Sequence, residues 1–405
     1  MKRKLVFPIG IFLLALCVRL VFNKFFFSPW VSDEPSLFSY ATNVMNGLYY
    51  GTEGVYWPPG YIFFTGFLFK IFGQPEIPYI VSIKIIQSIL GALTAALIYG
   101  ITMKLFKQYS IAITAGILYA VYPPAILYTG MFISETLWIF VLFSGILCAQ
   151  IAVEEKSSKL LVVTGIIFGI ASLIRTVALP FGVLIGFLLL FHEKKISVNW
   201  GKAVKGTGIV LLFMFLTILP WTIRNYIVVG EFVFIDVNAG INLYLAHNEK
   251  STGQWVNMGP DDPIIQLRDH PDVDKEGKRR AFEYIVNNPV RTLEKAIQVN
   301  HLFWTKENSD VQRFASNWVK NLYTVFSFRL LAIISVLGII LSRQYWHDTS
   351  WLVLYIAAYN LLIAFLYFAP RYRFAIEPLL ILFAAFTINL LGKLLFKKYL
   401  FKSTS

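Results

Sequence analysis

The sequence predicts an α-helical protein that crosses a membrane about ten times. Of its 405 residues 57% are hydrophobic and only 15% charged, with 36 Phe, 21 Tyr and 10 Trp. A soluble domain needs about 25% charged residues to cover its surface. Ten apolar runs approach the roughly 20 residues that a spanning helix requires: 5–22, 79–102, 109–128, 132–152, 160–175, 176–191, 205–223, 322–342, 350–369 and 374–392. The net charge of +13 also sorts by side of these runs. So apolar a composition excludes disorder. Cys17 and Cys148 lie inside apolar runs, which excludes a disulfide scaffold.

With the N-terminus inside, the inner segments hold Lys2, Arg3 and Lys4, then Lys104 and Lys107, Lys156 and Lys159, Lys194, Lys195, Lys202 and Lys205, Arg343, and finally Lys393, Lys397, Lys398 and Lys402. The outer loops are close to charge-balanced. This is the positive-inside pattern, and it places both termini in the cytoplasm and the chain in the cytoplasmic membrane. A basic excess sorted in this way sets orientation and gives no reason to expect nucleic acid as a partner. No cleavage site follows the first span, which is expected to be retained. Tyr61–Phe72 is apolar but reaches only about 20 Å as a helix, so it is expected to lie in the interface or to re-enter. The fifth and sixth runs are short and nearly contiguous.

Two outer segments are long, 23–78 and 224–321. The expected organisation is an N-terminal membrane core over 1–223, an outer loop domain over 224–321, and C-terminal helices with a basic tail over 322–405. The outer domain carries a Gly/Asn cluster at Asn238–Asn242, turns through Gly253 and Gly259–Pro263, and an amphipathic helical stretch over 275–304 interrupted at Asn288-Pro289. No internal repeat is visible, and large outer loops suit an enzyme better than an inverted-repeat transporter.

The residues able to do chemistry lie at the outer ends of the spans. Asp33-Glu34-Pro35 opens a short helix that ends at Asn46-Gly47. The helix dipole favours an ionised carboxylate there, and spacing alone is also explained by an N-cap with a solvated neighbour. Tyr56-Trp57-Pro58-Pro59-Gly60-Tyr61 is a stiff aromatic string, or an interfacial aromatic belt with a turn. Glu135 starts a span as a cap partner or as a functional carboxylate. Arg175, Arg224, Arg371 and Arg373 mark outer helix ends, where a guanidinium grips phosphate in two parallel hydrogen bonds or snorkels to lipid headgroups. Arg19 shares that ambiguity inside the first span. His247, His270 and His301 lack ligand spacing and read as surface residues.

In their order along the chain these features resemble the polytopic GT-C glycosyltransferases of the family 39-like group, which includes protein O-mannosyltransferases and the aminoarabinose transferase. The carrying residues are Asp33-Glu34 with Tyr40-Ala41, Pro58-Pro59-Gly60-Tyr61, Tyr122-Pro123-Pro124, Ser134-Glu135-Thr136, Ser172–Thr176, Pro220–Tyr226, Asn238–Tyr244, Ser251-Thr252-Gly253 and Arg371-Tyr372-Arg373. The resemblance implies a GT-C fold with outer-face interfacial helices. It also implies inverting transfer of a sugar from a polyprenyl-phosphate donor to a hydroxyl on an envelope glycan, lipid or protein, at the outer face. By position it makes Asp33 the catalytic carboxylate, with Glu34 beside it and Glu135 nearby. Arg371, Arg373, Arg224 and Arg175 become candidates to hold the donor phosphate, and Tyr40, Trp57, Pro59, Tyr61 and Asn242 to contact substrate. Asp33 and Glu135 could share a divalent cation, for which oxygen ligands suit Mg²⁺ or Mn²⁺; metal use varies in the superfamily. A flippase of lipid-linked sugar and an O-antigen-type polymerase or ligase are the alternatives. The first would place charges midway through spans, where only a few such as Lys84 lie.

Overall fold

A computed structural model describes residues 2–25, 33–48, 55–73, 81–192, 200–267 and 272–403. Each of the ten apolar runs overlaps a helix: Lys2–Phe25, Val81–Phe106, Tyr109–Ala120, Glu135–Glu154, Ser158–Ile174, Pro180–His192, Trp200–Val229, Phe328–Leu341, Trp346–Ala364 and Glu377–Ser403. Among the described residues six helical stretches are long and apolar enough to cross a membrane, and several others are shorter and apolar. The chain is a multi-pass membrane protein. No strand occurs among the described residues; Gln254 and Phe368 form an isolated bridge.

Two runs break where the sequence read one span. The 109–128 run stops at Ala120 and restarts as a short helix, Pro123–Leu127. Proline lacks the N–H an interior turn needs and is at home in the first turn of a new helix. The 322–342 run divides into Asn317–Val325 and Phe328–Leu341. The Ser327 side chain caps the second piece by accepting from Leu330 N.

The core runs through the bundle, while Leu212, Phe215 and Leu216 on one helix and Ile333, Val336, Leu337 and Ile340 on another stay exposed. Their spacing of three and four residues marks one helix face, and in a membrane that face meets lipid. Inside the bundle, helices approach at backbone distance. A Cβ on Gly338 would lie 2.1 Å from the Phe383 carbonyl oxygen, and Ser335 Oγ donates to Leu380 O at 2.8 Å. Small residues and interhelical hydrogen bonds supply the association that lipid-exposed apolar surface cannot. Arg19 resolves as structural. It is fully buried, donates to Ala15 O and Ala120 O at 3.1 and 2.9 Å, and lies 5.5 Å from the Tyr119 ring centre. Lys84 stands at the start of the Val81–Phe106 helix, not at its middle.

The two bundle ends differ. At one, Lys104 pairs with Glu154 and Lys393 donates to Gln108 Oε1 at 2.8 Å. The other carries Asp33, Glu135, Arg175 and Arg371. There, Pro59–Phe72 forms a 14-residue helix with Phe63, Phe67, Ile71 and Phe72 exposed.

The 224–321 segment divides between two apolar clusters. Val233, Val237, Ile241, Tyr244, Met258 and Ile264 pack with Val55, Tyr56 and Tyr367. Helices Asp272–Asn287 and Pro289–Thr305 meet at the expected break, and Val299 and Phe303 of the second join the main core. His247 is not a surface residue: it is buried with Nε2 2.8 Å from Phe365 O, and burial holds its pKa below the usual range. His301 is exposed, and His270 lies outside the described residues.

Asp236 lies in this segment. Its Oδ1 accepts from Asn238 N at 3.0 Å, and its Oδ2 is buried without a partner. Burial pushes its pKa from 3.8 to about 7. The folded state therefore holds this proton more tightly than the unfolded chain does. Its contribution is complete below the unfolded value and is lost as pH climbs to about 7, with a slope of about 1.4 kcal/mol per unit. Thermal melting in detergent should show stability falling between about pH 4 and pH 7, and Asp236→Asn should flatten that fall.

Candidate active site

The site is built at the helix ends opposite the lysines. Asp33 is the N-cap residue of the Glu34–Met45 helix, yet its side chain makes no capping hydrogen bond. Instead Arg371 Nη1 donates to Asp33 Oδ2 at 2.5 Å. Both side chains are partly buried, at 23% exposure for Arg371 and 18% for Asp33. Glu34 points elsewhere: it is buried and its Oε1 accepts from Phe132 N at 2.6 Å. The acidic pair thus divides, one member facing an arginine and the other fixing the 129–133 loop.

A second ion pair sits beside the first. Glu135 opens the Glu135–Glu154 helix, and its Oε1 accepts from Arg175 Nη1. Its Oε2 is buried with no partner. Arg175 ends the Ser158–Ile174 helix and lies 5.5 Å from the Trp138 ring centre and 6.0 Å from that of Tyr372. The Pro-Pro-Gly string has a packing reason here. A Cβ on Gly60 would sit 2.9 Å from Ile174 N, so only glycine lets this turn press on the helix end that carries Arg175. The two pairs sense each other. Burial works against the charge on Arg371, and Asp33 and then Glu135 more than reverse it, holding its pKa above the usual value.

Other sequence-selected residues sit around this core in different roles. Tyr61 is buried and donates to Gln87 Oε1 at 3.2 Å. Gln87 Nε2 in turn donates to Thr129 O and Met131 O, so this chain also anchors the 129–133 loop. Pro59 is buried in the first turn of its helix, Trp57 packs edge-on to Tyr56 with centroids 5.0 Å apart, and Tyr40 packs on the main core. Asn242 reaches the rim: its Oδ1 accepts from Tyr367 OH at 2.8 Å, and Tyr367 OH lies 2.8 Å from Tyr372 OH.

Two of the four arginines stand apart. Arg224 lies 4.7 Å from the Trp221 ring centre and donates to Asn225 Oδ1 at 3.2 Å. Arg373 has 0% exposure, donates to Glu377 Oε1 at 3.0 Å and to the carbonyls of Phe303 and Lys306 at 2.9 and 2.6 Å, and stacks 3.4 Å from the Phe328 ring centre. It holds the turn through Nε and Nη1, while its Nη2 is buried without a partner and no part of the side chain reaches solvent. Sequence reasoning missed Asp310, which couples electrostatically to Arg371 and Glu135. Its only sequence signal is the capped helix start Asn308-Ser309-Asp310.

The donor set does not suit a divalent cation. Among the described residues no three His, Cys, Asp or Glu side chains come together, and Asp33 and Glu135 each face a guanidinium that would repel the ion.

The family model for dolichyl-phosphate-mannose-protein mannosyltransferases matches residues 57–221. No curated protein sequence matches the chain. Among solved structures, the oligosaccharyltransferase AglB from Archaeoglobus fulgidus, in complex with an inhibitory peptide and a dolichol-phosphate, superposes with a TM-score of 0.61 at 12% identity, over 99% of this chain and 52% of that one. The fold is GT-C. Two further A. fulgidus oligosaccharyltransferase structures agree. The apo form gives a TM-score of 0.60 at 12% identity, over 98% of this chain and 52% of that one. The form tethered to an acceptor peptide gives 0.61 at 12% identity, over 99% of this chain and 50% of that one. The chain spans about half the length of these GT-C proteins.

Proposed function

We propose that this GT-C protein is an inverting glycosyltransferase that moves a sugar from a polyprenyl-phosphate donor to an acceptor hydroxyl at the outer face of the cytoplasmic membrane, with both termini inside. The observation that carries this reading is the Asp33–Arg371 pair, a carboxylate and a guanidinium held together at one end of a membrane bundle. The lysines at the opposite end support the orientation. The dolichol-phosphate bound by an AglB of the same fold supports a lipid-phosphate donor.

In this reading Asp33 takes the proton of the acceptor hydroxyl as its oxygen bonds to the anomeric carbon. The bond from that carbon to the phosphate oxygen breaks, and its electron pair leaves with the polyprenyl phosphate. Inversion needs no second, nucleophilic carboxylate. Arg371 and Arg175 stabilise the leaving phosphate, which departs as an anion and needs cations more than it needs an acid. Before donor arrives, Asp33 occupies Arg371. A phosphate competing for that guanidinium frees the carboxylate, so donor is expected to bind before acceptor reacts. The acceptor is an envelope glycan, lipid or protein.

The test is transfer of radiolabelled sugar from polyprenyl-phosphate sugars in membranes containing the chain. Arg371→Ala should raise the donor KM at least about tenfold, the scale of one charged hydrogen bond. An unchanged donor KM removes Arg371 from the phosphate site.

A further inference from the structure

Asp310 is a carboxylate that neither a helix cap nor an ion pair among the described residues accounts for. It lies in the first turn of the Ser309–Phe314 helix, but that helix is already capped: Asn308 Oδ1 accepts from Asp310 N at 2.9 Å and from Val311 N at 3.3 Å. Its side chain makes no ion pair among the described residues. Its hydrogen-bond partner is a hydroxyl, Tyr128 OH, which donates to Oδ2 at 3.3 Å. Tyr128 is held in turn. It accepts from Asn308 Nδ2 at 3.2 Å and packs edge-on against Phe374, with centroids 4.9 Å apart. Asn308, Tyr128 and Asp310 therefore form a closed hydrogen-bonded ring.

That ring lies within electrostatic reach of Arg371 and Glu135. Arg371, Glu135 and Arg313 are the charged groups acting on Asp310, and Arg371 belongs to the turn against which this helix packs. Burial raises the Asp310 pKa, and a partly buried carboxylate with one hydroxyl donor and no contact counter-ion is costly unless it is neutralised or a ligand uses it. A sugar on a phosphate seated at Arg371 would present its hydroxyls to such a group. Vicinal hydroxyls donate to a carboxylate in pairs, and a phosphate would be repelled by it, so Asp310 suits the sugar and not the anion. The unpartnered Glu135 Oε2 lies in the same neighbourhood and also accepts only.

We propose that Asp310, oriented by Tyr128 and Asn308, binds the hydroxyls of the transferred sugar and so sets donor specificity. This rests on the polyprenyl-phosphate reading and deepens it.

The experiment compares two kinds of probe on the purified full chain in nanodiscs. One is dolichyl phosphate without sugar. The other is a panel of polyprenyl-phosphate pentoses and hexoses, from which the tightest binder is used. Asp310→Ala should weaken the sugar-bearing lipid roughly 10- to 100-fold, the scale of hydrogen bonds to a charged group, and move the sugar-free lipid less than about twofold. Asp310→Asn, which keeps the shape, should show the same selective loss with an unchanged melting temperature. Equal weakening of both probes, or no weakening of either, overturns the inference while leaving the phosphate site standing. A wild-type chain that binds the sugar-free lipid, and binds no sugar-bearing lipid more tightly, also overturns it alone. A wild-type chain that binds neither kind of probe overturns the donor reading as well.

Discussion

Asp33→Asn is expected to reduce sugar transfer by roughly 10²–10⁴-fold while the protein inserts and folds normally. That range is what one positioned general base contributes. The amide is nearly isosteric, so packing of the Glu34–Met45 helix is untouched, and because Asp33 makes no capping bond with its side chain the helix start loses nothing. The amide cannot accept the acceptor's proton. The change also strips Arg371 of its closest counter-charge, which makes that guanidinium more available to phosphate. The donor KM should therefore stay level or fall while kcat collapses. This split separates loss of a base from loss of a binding group, which would raise KM. Glu34→Ala provides the contrast. Glu34 is buried and accepts from Phe132 N, so its loss should appear first in the melting temperature. Steady-state kinetics and melting of the two variants decide the matter, and full transfer by Asp33→Asn would remove Asp33 from the chemistry.

The bundle was legible because hydropathy acts over whole segments. Ten runs gave ten helices, and errors came where a local break overrides periodicity, as at Tyr122-Pro123-Pro124. The site was legible only as a set of helix ends. Sequence placed Asp33 and Glu34 side by side but could not tell which faces an arginine, since adjacent residues on a helix start point about 100° apart and tertiary packing chooses between them. It grouped four arginines by their position at outer ends. Position does not report partners, and so Arg175 and Arg371, which meet Glu135 and Asp33 at the site, looked the same as Arg373, which is enclosed by the Glu377 carboxylate and two backbone carbonyls. Asp310 was missed because its neighbours Tyr128 and Arg371 are 182 and 61 residues away in sequence, with no shared motif. Tyr61 and Pro59 sat in the right string, but the structure uses Tyr61 to tie Gln87 and the 129–133 loop in place.

Arg373 gives the sharpest contrast between holding a ligand and holding the fold. Arg373→Met is expected to destabilise the protein by about 3–5 kcal/mol, the scale for removing one member of a buried ion pair. Both members have 0% exposure, and the loss leaves the Glu377 carboxylate without its partner. It also strips the donor from Phe303 O and Lys306 O and the flat guanidinium from the Phe328 face. Arg373→Lys should rescue little, because an ammonium cannot reproduce the planar fork that meets a carboxylate and two carbonyls while stacking on a ring. Arg373→Met with Glu377→Leu should recover part of the loss, since it removes the orphaned charge but not the two unserved carbonyls. At a temperature where the double variant is folded, its donor KM should match wild type, whereas Arg371→Ala two residues earlier raises it. Melting in detergent and donor titration separate the two outcomes: an Arg373→Met protein that melts like wild type and loses donor affinity would return this arginine to the phosphate site.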